Sequence, residues 1–118
     1  MRKLIVHRER ALACFAMKYH CIVNEDREEF LRCLGEEDAS IHLWNSRGYS
    51  LRNGERISIP IGEEGCRFFV LACLDGRDIA TETLFVPAGE EDAFCTVFTD
   101  FDGNKKLGIR AELNIEQE

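Results

Sequence analysis

The chain has 118 residues, a formal net charge of -7, and 45% hydrophobic and 31% charged residues. This length fits one domain, residues 1–118, with a core of its own, and the composition is that of a globular protein. Net negative charge repels the phosphates of nucleic acids and of anionic membranes, so we expect neither as a partner.

Two strands are predicted near the start, at residues 4–7 and 19–23, because both are rich in apolar and β-branched residues. The next segment is typical of one short helix over residues 25–34. Asn24 can cap this helix, early acidic residues favour its positive end, and Gly35 can end it.

Three further strands are predicted between the helix and residue 74. Residues 41–43 alternate weakly between apolar and polar, and residues 57–61 alternate more clearly. Pro60 cannot donate a hydrogen bond to a neighbouring strand, which favours an edge position for the second of these strands. Residues 67–74 form a nearly continuous apolar run, which predicts a strand buried on both faces.

The last strands are predicted from aromatic and alternating segments. Residues 83–86 and 94–101 are rich in aromatic and β-branched residues, which predicts strands buried on both faces. Residues 107–115 alternate strictly, which indicates one dry face and one wet face. The segment at residues 79–86 should pair as a hairpin with residues 67–74.

Turn residues separate these strands at short intervals. The signals are Asn53-Gly54, Asp75-Gly76, Pro87-Ala88-Gly89 and Asp102-Gly103-Asn104. Asn, Asp and Gly tolerate positive φ, which makes such pairs strong turn signals. Seven or eight strands without alternating helices predict a mainly-β fold, a single antiparallel β-sandwich of immunoglobulin-like or jelly-roll-like type, or else a barrel.

No segment is typical of a signal peptide or a membrane-spanning helix. The apolar residues after Lys3 are interrupted at residues 7–10, and no apolar run approaches the ~20 residues that a spanning helix needs. We therefore expect a cytoplasmic protein, in which cysteines are reduced.

Six cysteines require an explanation: Cys14, Cys21, Cys33, Cys66, Cys73 and Cys95. Most lie in apolar runs, where a reduced cysteine serves as a small hydrophobic residue. Disulfides and a reactive thiol, such as Cys21 or Cys14 near a histidine, stay open as alternatives. No two cysteines have the spacing of a structural zinc site, so we expect no metal. No convergent set of catalytic groups is visible in the sequence, so we expect no cofactor and no catalytic residue.

Two apolar features are candidates for a binding surface. Trp44 and Tyr49 flank a polar loop, and such an aromatic pair can form a platform for a sugar or a peptide. Phe30 and Leu31 lie on the apolar side of the predicted helix, which offers a surface for a protein partner.

Several landmarks along the chain suggest a family. They are Arg8 and Arg10 on the first strand, the small residues 11–16, the strand ending at Asn24, Leu51-Arg52-Asn53-Gly54-Glu55, residues 57–62, and Gly65-Cys66-Arg67-Phe68. In these the chain resembles the small uncharacterised β-sandwich domains of Gram-positive bacteria and, more distantly, PEGA-type modules. The resemblance implies a sandwich fold and carries no catalytic residue.

The chain departs from that family at two positions. Asn24 is followed by a charged helical segment rather than by a tight Asn-Gly turn, and Cys66 stands where the family often has histidine.

From the sandwich pattern and the lack of a convergent catalytic set, we expect a non-enzymatic interaction or accessory domain that binds a protein partner or a second copy of itself through edge strands. A small-ligand or carbohydrate-binding module is the alternative, and a thiol enzyme is the third hypothesis.

Overall fold

The computed structural model describes residues 1–11, 17–34, 48–74, 77–101 and 107–115. These residues form nine strands and one helix: β1 (Lys3–Arg8), β2 (Tyr19–Val23), α1 (Arg27–Leu34), β3 (Gly48–Leu51), β4 (Arg56–Pro60), β5 (Cys66–Leu74), β6 (Arg77–Ala80), β7 (Leu84–Val86), β8 (Ala93–Phe101) and β9 (Leu107–Ile115). The mainly-β prediction with one short helix is confirmed.

The strands form two sheets that pack face to face as a sandwich. Sheet A has the order β4-β1-β8-β9, and sheet B has the order β3-β2-β5-β6 with β7 also paired to β5. Alternate residues of each strand point between the sheets and bury a common core. Its members include Leu4, Val6, Tyr19, Cys21, Leu51, Ile59, Phe68, Val70, Ala72, Val86, Ala93, Cys95 and Val97.

The sandwich is not wholly antiparallel, which corrects the prediction. β1 pairs with β4 antiparallel but with β8 parallel, from Leu4 opposite Ala93 to Arg8 opposite Val97. β1 therefore lies inside sheet A, although it precedes all the other described strands in the chain. Hydrophobic alternation indicates which face of a strand is buried but not the direction of its neighbour, so the sequence could not show this pairing.

One predicted strand is divided into two, and β3 was not predicted, which together account for the nine described strands. β6 and β7 both pair antiparallel with β5, but they are separated at Thr81. The Thr81 N–H donates to the Val70 carbonyl at 2.9 Å, and the Val70 N–H donates to Thr81 Oγ1 at 3.0 Å. The threonine hydroxyl thus takes a position that a backbone carbonyl holds in a continuous strand.

Burial agrees with some of the predicted strands and not with others. β4 is an edge strand that ends at Pro60, and β5 is central with both faces buried from Phe68 to Ala72, as expected. β7 and β8 are not buried on both faces, because Phe85 is 67% exposed on an edge and Phe94, Thr96 and Phe98 of β8 are only half-buried. The turns predicted at residues 75–76 and 102–104 and the strand at residues 41–43 lie outside the described residues.

Helix α1 covers the outer face of sheet B. Phe30 packs edge-on against Phe69 with ring centroids 5.7 Å apart, and Leu34 is buried in the same cluster. The helix is capped by Asp26, whose Oδ1 accepts a hydrogen bond from the Glu29 N–H at 2.9 Å. Asn24, the expected cap, instead occupies the left-handed region with a φ of 62°.

The Asn53-Gly54 turn is confirmed, and it connects strands of different sheets. β3 belongs to sheet B and β4 to sheet A, so the chain crosses from one sheet to the other at this turn. Gly54 has a φ of +77°, which side chains other than glycine rarely adopt. Asn53 fixes the crossing through its amide, which accepts from the Ala11 N–H at 2.9 Å and donates to the Ala11 carbonyl at 3.0 Å.

Arg8 fills the space beneath this crossing. Its side chain is fully buried, and the guanidinium carbon lies 3.5 Å from the centroid of the Tyr19 ring. Arg8 Nη1 donates to the carbonyls of Met17, at 2.5 Å, and Leu51, at 3.0 Å. One side of the sandwich is therefore closed by a connection and by a buried charged side chain.

The described residues hold no helix with the length and apolar character to span a bilayer.

Candidate functional site

The side of the sandwich opposite the crossing is formed by β9 of sheet A and by β6 and β7 of sheet B. β9 pairs with β8 through nine consecutive residue pairs, from Ala93 opposite Ile115 to Phe101 opposite Leu107. Within the described ranges, no strand pairs with the other side of β9. Its outward backbone N–H and C=O groups therefore form a row that another strand can join.

The other edges are protected in ways that β9 is not. β4 ends at Pro60, β3 and β6 have four residues each, and β7 has three. Short strands and prolines are the usual means by which proteins prevent pairing at an edge. β9 has nine residues and contains no proline. Among the described strands it is the longest edge.

The two faces of β9 differ as the alternation predicts. Ile109, Ala111 and Leu113 are half-buried and pack against the core between the sheets. Arg110 and Glu112 lie on the outer face, where their side chains are 48% and 56% exposed. A strand added here would therefore find apolar side chains on one face and opposite charges on the other.

A mostly apolar groove lies beside the middle of β9, from Ile109 to Ala111. It has a volume of about 360 Å³ and is lined by Thr81, Glu82, Leu84, Ile109, Arg110 and Ala111. The groove lies where the edges of the two sheets meet, since β9 contacts both β5 and β6. This side of the core is thus open in a way that the side beneath the Asn53-Gly54 crossing is not.

The outer face of β9 carries a charged network. Arg110 Nε donates to Asp100 Oδ2 at 2.7 Å, and Arg110 Nη1 pairs with Glu112 on the same strand. The guanidinium also lies over the Phe98 ring, 4.3 Å from its centroid. The hydrogen bond to Asp100 holds the pKa of Arg110 above its ordinary value, so the side chain is charged at every physiological pH.

The thiols and the histidine singled out in the sequence lie apart from this edge. Cys21 points into the core, while its neighbour His20 lies on the other face of β2, opposite Leu71. Burial raises the pKa of the Cys21 thiol and raises that of Cys95 to about 12, so both are protonated at neutral pH. In the part of the chain that the structure describes, no three His, Cys, Asp or Glu side chains are placed to hold a metal ion.

The three candidate surface residues that the structure describes do not form one site. Phe30 is 2% exposed and attaches α1 to sheet B, while Leu31 is half-buried at the margin of the same cluster. Tyr49 is 43% exposed on the edge strand β3. Trp44 lies outside the described residues, so the aromatic platform stays a prediction.

The β9 edge itself was not predicted from the sequence. Strict alternation predicted a strand with one dry face and one wet face, a pattern that antiparallel strands show at any position in a sheet. Apart from Pro60 on β4, no signal in the sequence shows which strands lie at the ends of a sheet. Edge position follows from strand order, which depends on pairings between distant parts of the chain.

No model of a known protein family, no curated protein and no solved structure matches this chain. The likeness to small Gram-positive sandwich domains therefore stays a prediction. The site must be interpreted from its own geometry.

Proposed function

We propose that this protein is a non-enzymatic interaction domain that binds an extended segment of a partner protein by adding it to sheet A along β9. The observation that carries the proposal is a nine-residue edge, without proline, beside an open apolar groove. Strand addition is a common mode of peptide recognition on this kind of edge.

Two sets of contacts would act together in such a complex. The outward backbone groups of β9 would form the hydrogen bonds of a ladder, which are independent of the partner's side chains. Alternate side chains of the added strand would point to the groove beside Leu84 and Ile109, where apolar residues fit best. The backbone would thus supply affinity and the groove would supply selectivity.

The distribution of reactive groups favours binding over catalysis. A nucleophilic cysteine needs a lowered pKa and a base within hydrogen-bond distance. Burial instead raises the thiol pKa at Cys21 and Cys95, and His20 lies on the opposite face of its strand from Cys21. For Cys21 the thiol-enzyme hypothesis is accordingly the weaker proposal, and Cys14 lies outside the described residues.

A substitution at Ala111 tests strand addition. Ala111 points inward at the edge, where a lysine can extend to water through the open groove as long as no strand covers it. We expect Ala111→Lys to leave the domain folded and to weaken the binding of extended peptides at least about tenfold, because an added strand would bury the charge. The peptides are selected from a displayed library against the wild-type protein and measured by fluorescence anisotropy.

Asn114→Lys is the matched control. It adds the same charge to the same strand, but on the outer face, which an added strand leaves in water. We expect peptide affinity to change less than about threefold. Selected peptides that bind both lysine variants equally well would contradict the proposal, as would a monomeric protein for which the library yields no binding peptide.

A further inference from the structure

We propose that the strand added to β9 is β9 of a second copy, paired antiparallel and centred on Ala111 of both chains. This inference rests on the proposed function and names its partner. It follows from the order of residues along Leu107–Ile115, which reads Leu-Gly-Ile-Arg-Ala-Glu-Leu-Asn-Ile.

The sequence of β9 is complementary to itself when reversed about Ala111. In that register Arg110 lies opposite Glu112 of the second copy, and Glu112 lies opposite its Arg110. Ile109 lies opposite Leu113 on the inner face, and alanine meets alanine at the centre. Opposite charges directly across an antiparallel pair stabilise it, as do paired apolar residues.

Charge excludes the neighbouring registers. Directly opposed residues of an antiparallel pair point to the same face, so only shifts of two positions in the pairing keep the apolar residues together. One such shift places Arg110 opposite Arg110, and the other places Glu112 opposite Glu112. Like charges directly across a pair destabilise it. The register centred on Ala111 is therefore the one that satisfies both faces.

The two-fold arrangement also closes the assembly. Two copies joined along β9 would form one continuous eight-stranded sheet with a β4 strand at each end, since β4 is the other edge of sheet A. Pro60 at the end of β4 blocks further addition there. An interface of this kind uses the same surface on both copies and stops at a dimer.

The pairing also explains the groove. Leu113 of the second copy would lie opposite Ile109, beside the groove that Ile109 and Leu84 line, and Ile109 of the second copy would lie opposite Leu113. Each copy would thus bury apolar side chains of the other at the junction between sheet A of one copy and sheet A of the other. The half-buried state of β9 in the single chain would become a buried one.

Charge reversal at two positions tests this register. The single reversals Arg110→Glu and Glu112→Arg each place like charges opposite one another twice in a homodimer. We expect each to raise the dissociation constant at least about tenfold relative to wild type. A one-to-one mixture of the two variants restores opposite charges at both positions, and we expect it to form a heterodimer about as stable as the wild-type dimer.

Analytical ultracentrifugation over a concentration series is the measurement. We expect half-association of the wild type on the order of tens of micromolar, because a single strand edge is at the small end of specific interfaces. Arg56→Glu, an exposed reversal on β4, is the control and should leave dimerisation unchanged. Circular dichroism verifies that each variant is folded.

The outcomes separate this inference from the proposed function. A wild type that stays monomeric to about 1 mM, while selected peptides bind it and not Ala111→Lys, overturns the second copy as partner and leaves strand addition standing. A dimer that neither reversal weakens overturns the β9 register. Monomers that also bind no peptide overturn both proposals.

Discussion

Arg8 stabilises the closed side of the sandwich by joining three segments of the chain. A buried charge is costly unless its donors are satisfied. Here the guanidinium stacks on Tyr19 and donates to the carbonyls of Met17 and Leu51, which belong to different segments of the chain. The side chain therefore ties β1, the start of β2 and the end of β3 together.

We expect Arg8→Lys to lower the free energy of unfolding by about 1.5–3 kcal/mol. Lysine keeps the charge but has no planar group to stack on Tyr19 and no fork to reach two carbonyls. Urea denaturation measures the change. Arg10→Lys is the control on the same segment, and since Arg10 is exposed we expect a change within about 0.5 kcal/mol. Equal effects at the two positions would contradict this role.

His20 predicts how the domain responds to acid. Burial, together with the positive charge of Lys18, lowers the pKa of His20 below its ordinary value of 6.5. The unfolded chain therefore binds a proton at a higher pH than the folded chain does. The stabilisation is fully present above pH 6.5 and is lost as the pH falls below that value.

We expect the melting temperature of the wild type to fall between pH 7.5 and pH 5.5, and to fall less in His20→Gln, which cannot titrate. Differential scanning calorimetry at the two pH values measures both changes. An identical response in His20→Gln would show that the acid sensitivity arises at other groups.

At the scale of elements, α1 depends on the sheet beneath it. A helix of eight residues is marginal in isolation, so its apolar side and its cap must hold it. Phe30 and Leu34 supply the apolar contact, and Asp26 supplies the cap. Arg27 Nε adds a hydrogen bond to the Thr81 carbonyl at 2.7 Å, which joins the helix to the break between β6 and β7.

We expect Phe30→Ala to lower the free energy of unfolding by about 3–5 kcal/mol, because it removes a fully buried ring from contact with Phe69. Leu31→Ala, at a half-buried position of the same helix, should lower it by only about 1 kcal/mol. Chemical denaturation of both variants measures the difference. A Phe30→Ala variant with the same free energy of unfolding as the wild type would instead favour Phe30 as part of a partner surface.

Sequence patterns predicted the strands better than their partners. Strict alternation located β9 and the apolar run located β5, because burial on one or both faces leaves a local signature. The parallel pairing of β1 with β8 has no such signature. The helix cap was predicted at Asn24 rather than at Asp26 because both residue types cap well, and only the backbone path decides between them.

The buried Arg8 and the candidate site at β9 were harder to predict than the strands. Leu4, Val6 and Arg8 alternate, so the burial of Arg8 could have been inferred from position alone, although its charge argues against it. The edge position of β9 could not be inferred in this way, because it depends on strand order. The mirror symmetry about Ala111 is visible in the sequence but acquires meaning only once β9 is known to be an edge.

At the scale of the whole molecule, the core determines which thiols can react. Cys21 and Cys95 lie in the common core, whereas Cys33 and Cys66 are half-buried. Burial raises the pKa of the core thiols and also that of Cys66, so exposure rather than pKa separates Cys66 from them. Reagents should therefore reach Cys21 and Cys95 only when the domain unfolds as a unit.

We expect iodoacetamide to modify Cys33 and Cys66 at least about tenfold faster than Cys21 and Cys95 in the native protein. Peptide mass spectrometry resolves the individual sites. In concentrated urea the four rates should converge, which is the control for intrinsic reactivity. Fast modification of Cys21 in the native state would revive the thiol-enzyme hypothesis.

The central position of β1 in sheet A has a consequence for biosynthesis. β1 is translated before the other described strands, yet its parallel neighbour β8 follows far along the chain. The Lys3 N–H bonds to Asp92 across 89 positions. Until β8 leaves the ribosome, β1 can pair only with β4, and its other edge stays open. We therefore expect sheet A to form after most of the chain has been synthesised, and folding to be slow for a domain of this size, because distant contacts must close first.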